Sequence, residues 1–219
     1  MRVIIAIDGP SGAGKGTVAR SVAQALGYRH IDTGAMYRAV AWQALREGLP
    51  LDDDGALTAL AERSTIAFVD GGVSIDGHDV TAAIRTPEID RGAAMVARLP
   101  GVRRVLVTQQ RALGEGGRIV MEGRDIGTTV FPQADVKVYL DAEPAERARR
   151  RAGDPAHHGQ ATSIAAVATA LEQRDTSDRT RGTSPLAIAD DAVHIDTTHM
   201  AIADVVDRVL SLARARIGV

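Results

Sequence analysis

Hydrophobic and polar residues follow two rhythms along this chain, one suited to buried strands and one to helices. Residues 3–7 form a continuous apolar, β-branched run, the pattern of a central strand in a parallel sheet covered on both faces. Residues 9–14 hold too much glycine for a strand or a helix. From Thr17 the apolar positions fall at helical spacing, with Val18, Val22, Ala25 and Leu26 on one face and Gly27 as the stop. Residues 32–60 read as mostly helical, with a break at 48–50 and the acids Asp52, Asp53 and Asp54 opening the next helix. The texture then changes. Residues 66–69, 73–75 and 78–80 are short β-like pieces separated by Asp70-Gly71-Gly72 and Asp76-Gly77, both hairpin signals. After the break at Leu99-Pro100-Gly101, Val102, Val105, Leu106, Gln109 and Leu113 mark a helix. Residues 118–121 and 136–140 are two more strand-like runs, each followed by an acid, Glu122 and Asp141. A helix begins across 147–151, another covers 164–171, residues 193–195 suit a last strand, and 202–217 close with an amphipathic helix.

Strands alternating with helices predict an α/β fold: a doubly wound parallel sheet with helices on both faces and a small antiparallel β insert. Such sheets bind ligands at the carboxyl ends of their strands. The 219 residues suit one compact domain, and an apolar fraction of 45% supplies a core without staples. Cysteine is absent, which excludes disulfide scaffolds, cysteine-ligated metals and cysteine nucleophiles. A net charge of -2 and 3% aromatics argue against a nucleic-acid or anionic-membrane partner. No run approaches the ~20 apolar residues of a membrane helix, and the first apolar run is too short for a signal peptide, so a cytoplasmic location is expected. The chain has 24 arginines and only 2 lysines, Lys15 and Lys137, so each lysine stands out against an arginine default.

Lys15 ends the segment Gly9-Pro10-Ser11-Gly12-Ala13-Gly14-Lys15, a match to G-x-x-x-x-G-K. Glycines let backbone N–H groups approach phosphate oxygens, the following helix adds its N-terminal dipole, and the lysine reaches the β and γ phosphates. Given the glycine and lysine counts, chance would supply about 0.02 such matches, and the strand before and helix after are also present. The motif usually places Ser or Thr after the lysine to hold Mg²⁺; here Gly16 stands there and Thr17 follows. No Asn-Lys-x-Asp for guanine is found.

Gly-Lys-Gly-Thr resembles the loop of nucleoside monophosphate kinases, and further segments resemble the bacterial cytidylate kinase branch. They are Asp32-Thr33-Gly34-Ala35-Met36-Tyr37-Arg38, Ile84-Arg85-Thr86-Pro87-Glu88, and Pro100-Gly101-Val102-Arg103 with Gln110-Arg111. Glu122-Gly123-Arg124-Asp125-Ile126-Gly127-Thr128 follows, then Arg174, Asp178, Arg179 and Arg181 before Ser184-Pro185-Leu186. The resemblance runs in order over most of the chain. It implies an ATP- and Mg²⁺-dependent phosphotransferase acting on CMP and dCMP. Gly9, Pro10, Ser11, Gly12, Ala13, Gly14, Lys15, Gly16 and Thr17 would hold ATP, and no side chain is assigned as a metal ligand. Asp125 and Arg103 would hold the base, and Arg38 and Arg124 the acceptor phosphate. Arg174 and Arg181 would reach phosphates on closure, Asp178 the sugar hydroxyls, and Thr33 fills the hydroxyl position of the acceptor segment. Lys15, Arg124, Arg174 and Arg181 are thus the expected catalytic set. An acceptor-binding region at 33–98, with the β insert at about 64–85, and a lid at about 151–166 are implied within one kinase domain, expected to be a monomer.

The residues suit that chemistry by themselves. Two anionic nucleotides brought together need cations on both, and a phosphate acceptor is already anionic, so no general base is required. A carboxylate accepts from cytosine N4–H₂ and an arginine donates to its O2 and N3. Ala94 stands where a serine in some relatives of that branch touches the base, which leaves the division between cytidine and uridine nucleotides open. Two other readings use the same motifs: a kinase for another acceptor such as UMP, and a nucleotide-binding switch that transfers nothing. Read locally, Arg103 suits a solvated helix face, Arg147 and its neighbours a partly solvated one, and Met36 and Trp42 the core.

Overall fold

A computed structural model describes residues 2–69, 71–154 and 163–217. Half of the expected lid, residues 155–162 with His157 and His158, lies outside the described residues. Strand β1 (Ile4–Asp8) is the first apolar run, buried at every position. Helix α1 (Lys15–Leu26) buries Val18, Ala19, Val22 and Ala23, and Gly27 ends it in the left-handed conformation, its N–H reaching the Ala23 and Gln24 carbonyls. Next come β2 (Arg29–Asp32) and, without a loop, α2 (Thr33–Arg46). The acids before the second break start α3 (Asp54–Arg63), where Asp53 caps by accepting from the Ala56 N–H at 2.9 Å. Strands β3 (Ile66–Val69), β4 (Gly72–Ile75) and β5 (His78–Asp79) precede α4 (Pro87–Val96) and α5 (Pro100–Gly114). Strand β6 (Ile119–Glu122) leads through a π-helical turn (Ile126–Val130) to β7 (Val136–Asp141). Helices α6 (Pro144–Ala152) and α7 (Ile164–Thr180), strand β8 (Val193–Asp196) and helix α8 (Ile202–Ile217) finish the chain.

The described chain divides into two compact units. The first holds residues 2–32, 113–154 and 163–217. Its sheet is parallel throughout, in the order β2-β6-β1-β7-β8. Strand β1 pairs with β6 on one side and β7 on the other, so the order of connection reverses at β1. That places the glycine loop at the switch point, outside the carboxyl ends of the strands. One face of the sheet (Ile5, Ile7, Val120, Val138, Leu140) packs with Val18 and Val22 of α1 and Val205 and Val209 of α8. The alternate positions Ile4, Ala6, Ile119 and Met121 are buried too, so both faces are covered and the expected α/β architecture holds.

The second unit holds residues 33–112. Its three strands are antiparallel in the order β3-β4-β5 and match the expected insert. Asp76 and Gly77 turn between β4 and β5 at φ 50 and 79, as a two-residue primed turn requires. Met36 is in the core as expected, but Trp42 is half-buried, with Arg46 over its ring at 4.9 Å and His78 at 6.2 Å.

Two elements were not anticipated. Strand β2 has a single buried residue, Ile31, among Arg29, His30 and Asp32, because it lies at the sheet edge. Helix α4 is short and buries only Ile89, Gly92, Ala93 and Val96; Thr86 caps it and Pro87 fits its first turn. A Cβ on Gly92 would stand 3.3 Å from Ala41 Cβ and 3.0 Å from a Leu51 methyl, so α4 lies close on α2 at Gly92 while Ile89 and Val96 supply its apolar burial. Helix α7 also runs nine residues beyond the expected end, to Thr180.

Candidate active site

The glycine loop leaves β1 and enters α1 with its carbonyls held from outside. Lys15 Nζ donates to the Pro10 carbonyl at 2.6 Å, Arg147 Nη1 donates to the Ser11 carbonyl at 3.1 Å, and the Thr197 hydroxyl donates to the Ala13 carbonyl at 3.3 Å. Arg150 in turn donates to the Thr197 hydroxyl at 2.9 Å and to its carbonyl at 2.6 Å. Turning carbonyls away in this manner leaves N–H groups for an anion, the geometry of a backbone nest at a helix N-terminus. Gly9, Gly12 and Gly14 have φ of 144, 82 and 86, values that side-chain-bearing residues rarely adopt.

Gly16 has a local reason as well. A Cβ there would lie 3.3 Å from Glu122 Oε1, so a Ser or Thr would press on that carboxylate. Glu122, at the end of β6, takes a 2.9 Å hydrogen bond with His30 Nε2 of β2. Asp8, at the end of β1, accepts from the Ile126 N–H at 2.9 Å and the Gly127 N–H at 2.7 Å, anchoring the π-helical turn that follows Arg124 and Asp125. Burial raises Asp8 to about 6, against those two N–H groups, with the charge of Asp125 adding to the rise. Sequence reasoning assigned Asp8 and Glu122 no role. Their signal was present, since each is the acid that ends an apolar strand.

Lys15 is buried, and burial lowers its ammonium to about 7. Arg124 and Arg174 push the same way, while Glu122 and Asp8 oppose them. Two of the expected arginines, Arg124 and Arg174, therefore lie near the lysine, and Arg181 joins them through Asp178. Arg124 Nε donates to Asp178 Oδ2 at 3.0 Å, and Arg181 reaches Asp178 Oδ1 at 3.4 Å and Asp125 Oδ1 at 3.5 Å. Burial works to raise Asp178, yet Arg124, Arg174 and Arg181 together hold it below the usual carboxylate range. Asp178 and Arg181 are buried in this cluster. Helix α7 and the segment after it point them at the carboxyl end of the sheet.

Arg147, read as partly solvated, is corrected by the structure: it is 6% exposed and ion-paired with Asp175 of α7. Its neighbour Arg149 does lie in solvent, beside Glu146.

Within the second unit, Thr33 opens α2 and Arg38 follows on the same helix, both buried. Arg103 is 2% exposed, its guanidinium 5.5 Å from the Tyr37 ring centre and donating to the Ala97 carbonyl at 3.4 Å. A buried cation stacked on an aromatic ring replaces the solvated face that its neighbours suggested. No group of three His, Asp or Glu side chains placed to hold a metal occurs among the described residues, and no described helix is long and apolar enough to cross a membrane.

Comparison with known proteins bears on the family and the fold. A protein-family model described as cytidylate kinase matches residues 5–215. The cytidylate kinase of Solibacter usitatus is 49% identical over 224 residues, covering 99% of this chain and 94% of that one. The cytidylate kinase of Desulforamulus reducens is 49% identical over 210 residues, covering 94% and 95%. Among solved structures, shikimate kinase from Bacteroides thetaiotaomicron matches with a TM-score of 0.53 at 14% identity, covering 97% of this chain and 98% of that one. A gluconokinase from Sinorhizobium meliloti matches at 0.51 with 18% identity, covering 100% and 97%. At those identities the structures speak for the fold alone.

Proposed function

The chain belongs to the cytidylate kinase family and phosphorylates CMP and dCMP with ATP, and we propose that the cluster around Lys15 carries the transfer. The observation that supports this reading is the gathering of cations: Arg124 and Arg181 meet on Asp178 at 3.0 and 3.4 Å, and Lys15 is buried, its ammonium lowered by that burial and then by Arg124 and Arg174. A polyanion placed among them relieves that repulsion and is gripped for the same reason.

In this reading the loop N–H groups of residues 9–17 and Lys15 hold the β and γ phosphates. An oxygen of the acceptor phosphate bonds to the γ phosphorus as the bond to the bridging β–γ oxygen breaks, and ADP leaves with that oxygen. Charge spreads over the transferring group, and Arg124, Arg174 and Arg181 neutralise it. The acceptor oxygen is anionic at neutral pH, so no side chain has to remove a proton. Arg38 and Arg124 hold the acceptor phosphate, Thr33 supplies a hydroxyl, and Asp178 serves the sugar. Asp125 accepts from cytosine N4–H₂, and Arg103 donates to O2 and N3. Residues 33–98 form the acceptor-binding region.

Mg²⁺ fits this site as an ion carried by the nucleotide. The carboxylates nearest the loop are Asp8 and Glu122, already engaged by two backbone N–H groups and by His30, which suits hydrogen bonds to the ion's waters better than direct ligation. Bound there with the phosphates, Mg²⁺ would neutralise charge on the β and γ oxygens. We further propose a cytoplasmic, monomeric enzyme.

A switch that transfers nothing has no use for the second set of cations on α7. The uridine reading turns on Asp125, and that residue provides the test. Asp125→Asn keeps the shape but offers either an oxygen or an amino group to the base. The ratio of kcat/KM for CMP over UMP is expected to fall about 10- to 100-fold, the worth of one bidentate base contact. An unchanged ratio would remove Asp125 from base recognition.

A further inference from the structure

Arg147 sits on α6, away from the motifs that carry the chemistry, yet its guanidinium touches three parts of the first unit. Nε donates to the Ala142 carbonyl at 3.1 Å, Nη1 donates to the Ser11 carbonyl of the phosphate loop at 3.1 Å, and Nη1 is ion-paired with Asp175 Oδ2. The loop backbone lies directly on α6 at the same residue. A Cβ on Gly12 would be 2.8 Å from the Arg147 carbonyl oxygen and 2.9 Å from Arg147 Cβ. Asp175 is 2% exposed and stands beside Arg174 in α7, three residues before Asp178 and six before Arg181. One buried cation thus joins the donor loop to the helix that presents the arginines.

We propose that Arg147 is a positioning residue for phosphoryl transfer, fixing the phosphate loop and α7 in one frame so that Arg174 and Arg181 meet the phosphates that the loop holds. The inference rests on the roles given above to Arg174 and Arg181. A buried pair serving stability alone would have no need to reach the Ser11 carbonyl. Lysine cannot replace arginine here, because a single ammonium does not span the three acceptors with the fixed fork of a guanidinium.

The test is a double-mutant cycle on kcat with ATP and CMP. Arg147→Lys is expected to lower kcat about 10- to 100-fold with KM for CMP changed less than about threefold, the signature of misplaced rather than lost groups. Arg174→Ala is expected to cost much less in the Arg147→Lys background than in the wild type, because the two act through one frame. Asp175→Asn, which keeps an acceptor oxygen but removes the charge, is expected to lower kcat in the same direction. Costs that simply multiply, or a folded Arg147→Lys enzyme with wild-type kcat, would overturn the proposal. So would an Arg147→Lys chain that fails to fold alongside a folded Asp175→Asn enzyme with wild-type kcat. Wild-type turnover on CMP is the reference in every arm, so its absence would count against the functional reading instead.

Discussion

Lys15→Ala lowers kcat by about 100- to 1,000-fold while the chain stays folded, the cost of removing one preorganised cation from a charged transition state. The lysine is buried beside two arginines, so its truncation relieves a repulsive contact, while it also removes the hydrogen bond to the Pro10 carbonyl and the attraction of Glu122 and Asp8. These contributions oppose one another, so stability should change by less than about 2 kcal/mol while activity falls far more, which thermal unfolding beside steady-state kinetics will check. The pH profile gives an independent reading. With its ammonium lowered from 10.5 to about 7, Lys15 is charged below that pH and neutral above it. Binding ATP above pH 7 must first restore the proton, so kcat/KM for ATP declines on the alkaline side of about 7. That limb is expected to vanish in Lys15→Ala. Turnover near the wild-type value in this variant would mean that the loop does not hold the donor as described.

The second large effect is on folding. Gly9→Ala places a Cβ onto the Leu140 carbonyl oxygen of β7 while φ is held at 144, and both partners are backbone with nowhere to move. A loss of about 3 kcal/mol or more is expected, since strain and overlap act together. For a chain of this size that corresponds to a melting temperature lower by roughly 6–12 °C. Gly116→Ala is the matched control. Nothing lies within 4 Å of its Cβ position and its φ needs no glycine, so its effect should stay within about 0.5 kcal/mol. Equal stability for the two variants would contradict the packing of the loop against β7.

The sequence made the interior of the first unit readable because β1, β6 and β7 are buried on both faces, which leaves continuous apolar runs. The loop was readable because anion binding demands glycine at fixed spacing. Edge position hid β2, where one apolar residue suffices, and brevity hid α4, whose ten residues bury only Ile89, Gly92, Ala93 and Val96. Charge hid the most. Arg147, Asp175 and Asp178 look like solvent-facing residues of helices, and the second half of α7 lacks apolar residues because its inward side carries charge. Their burial depends on partners 28 residues away for Arg147 and 54 away for Arg124, and local periodicity holds no record of such pairs. Arg103 is the same case with an aromatic partner, Tyr37.

Acceptor choice bears most directly on the whole account. ADP formation from ATP and Mg²⁺ should be measured with CMP, dCMP, UMP, AMP and GMP offered one at a time. Strong turnover with CMP and dCMP, and little with the other three, is the predicted result. Comparable turnover with UMP would contradict base reading through Asp125 and Arg103. Turnover that ignores the acceptor would contradict phosphoryl transfer to a second nucleotide.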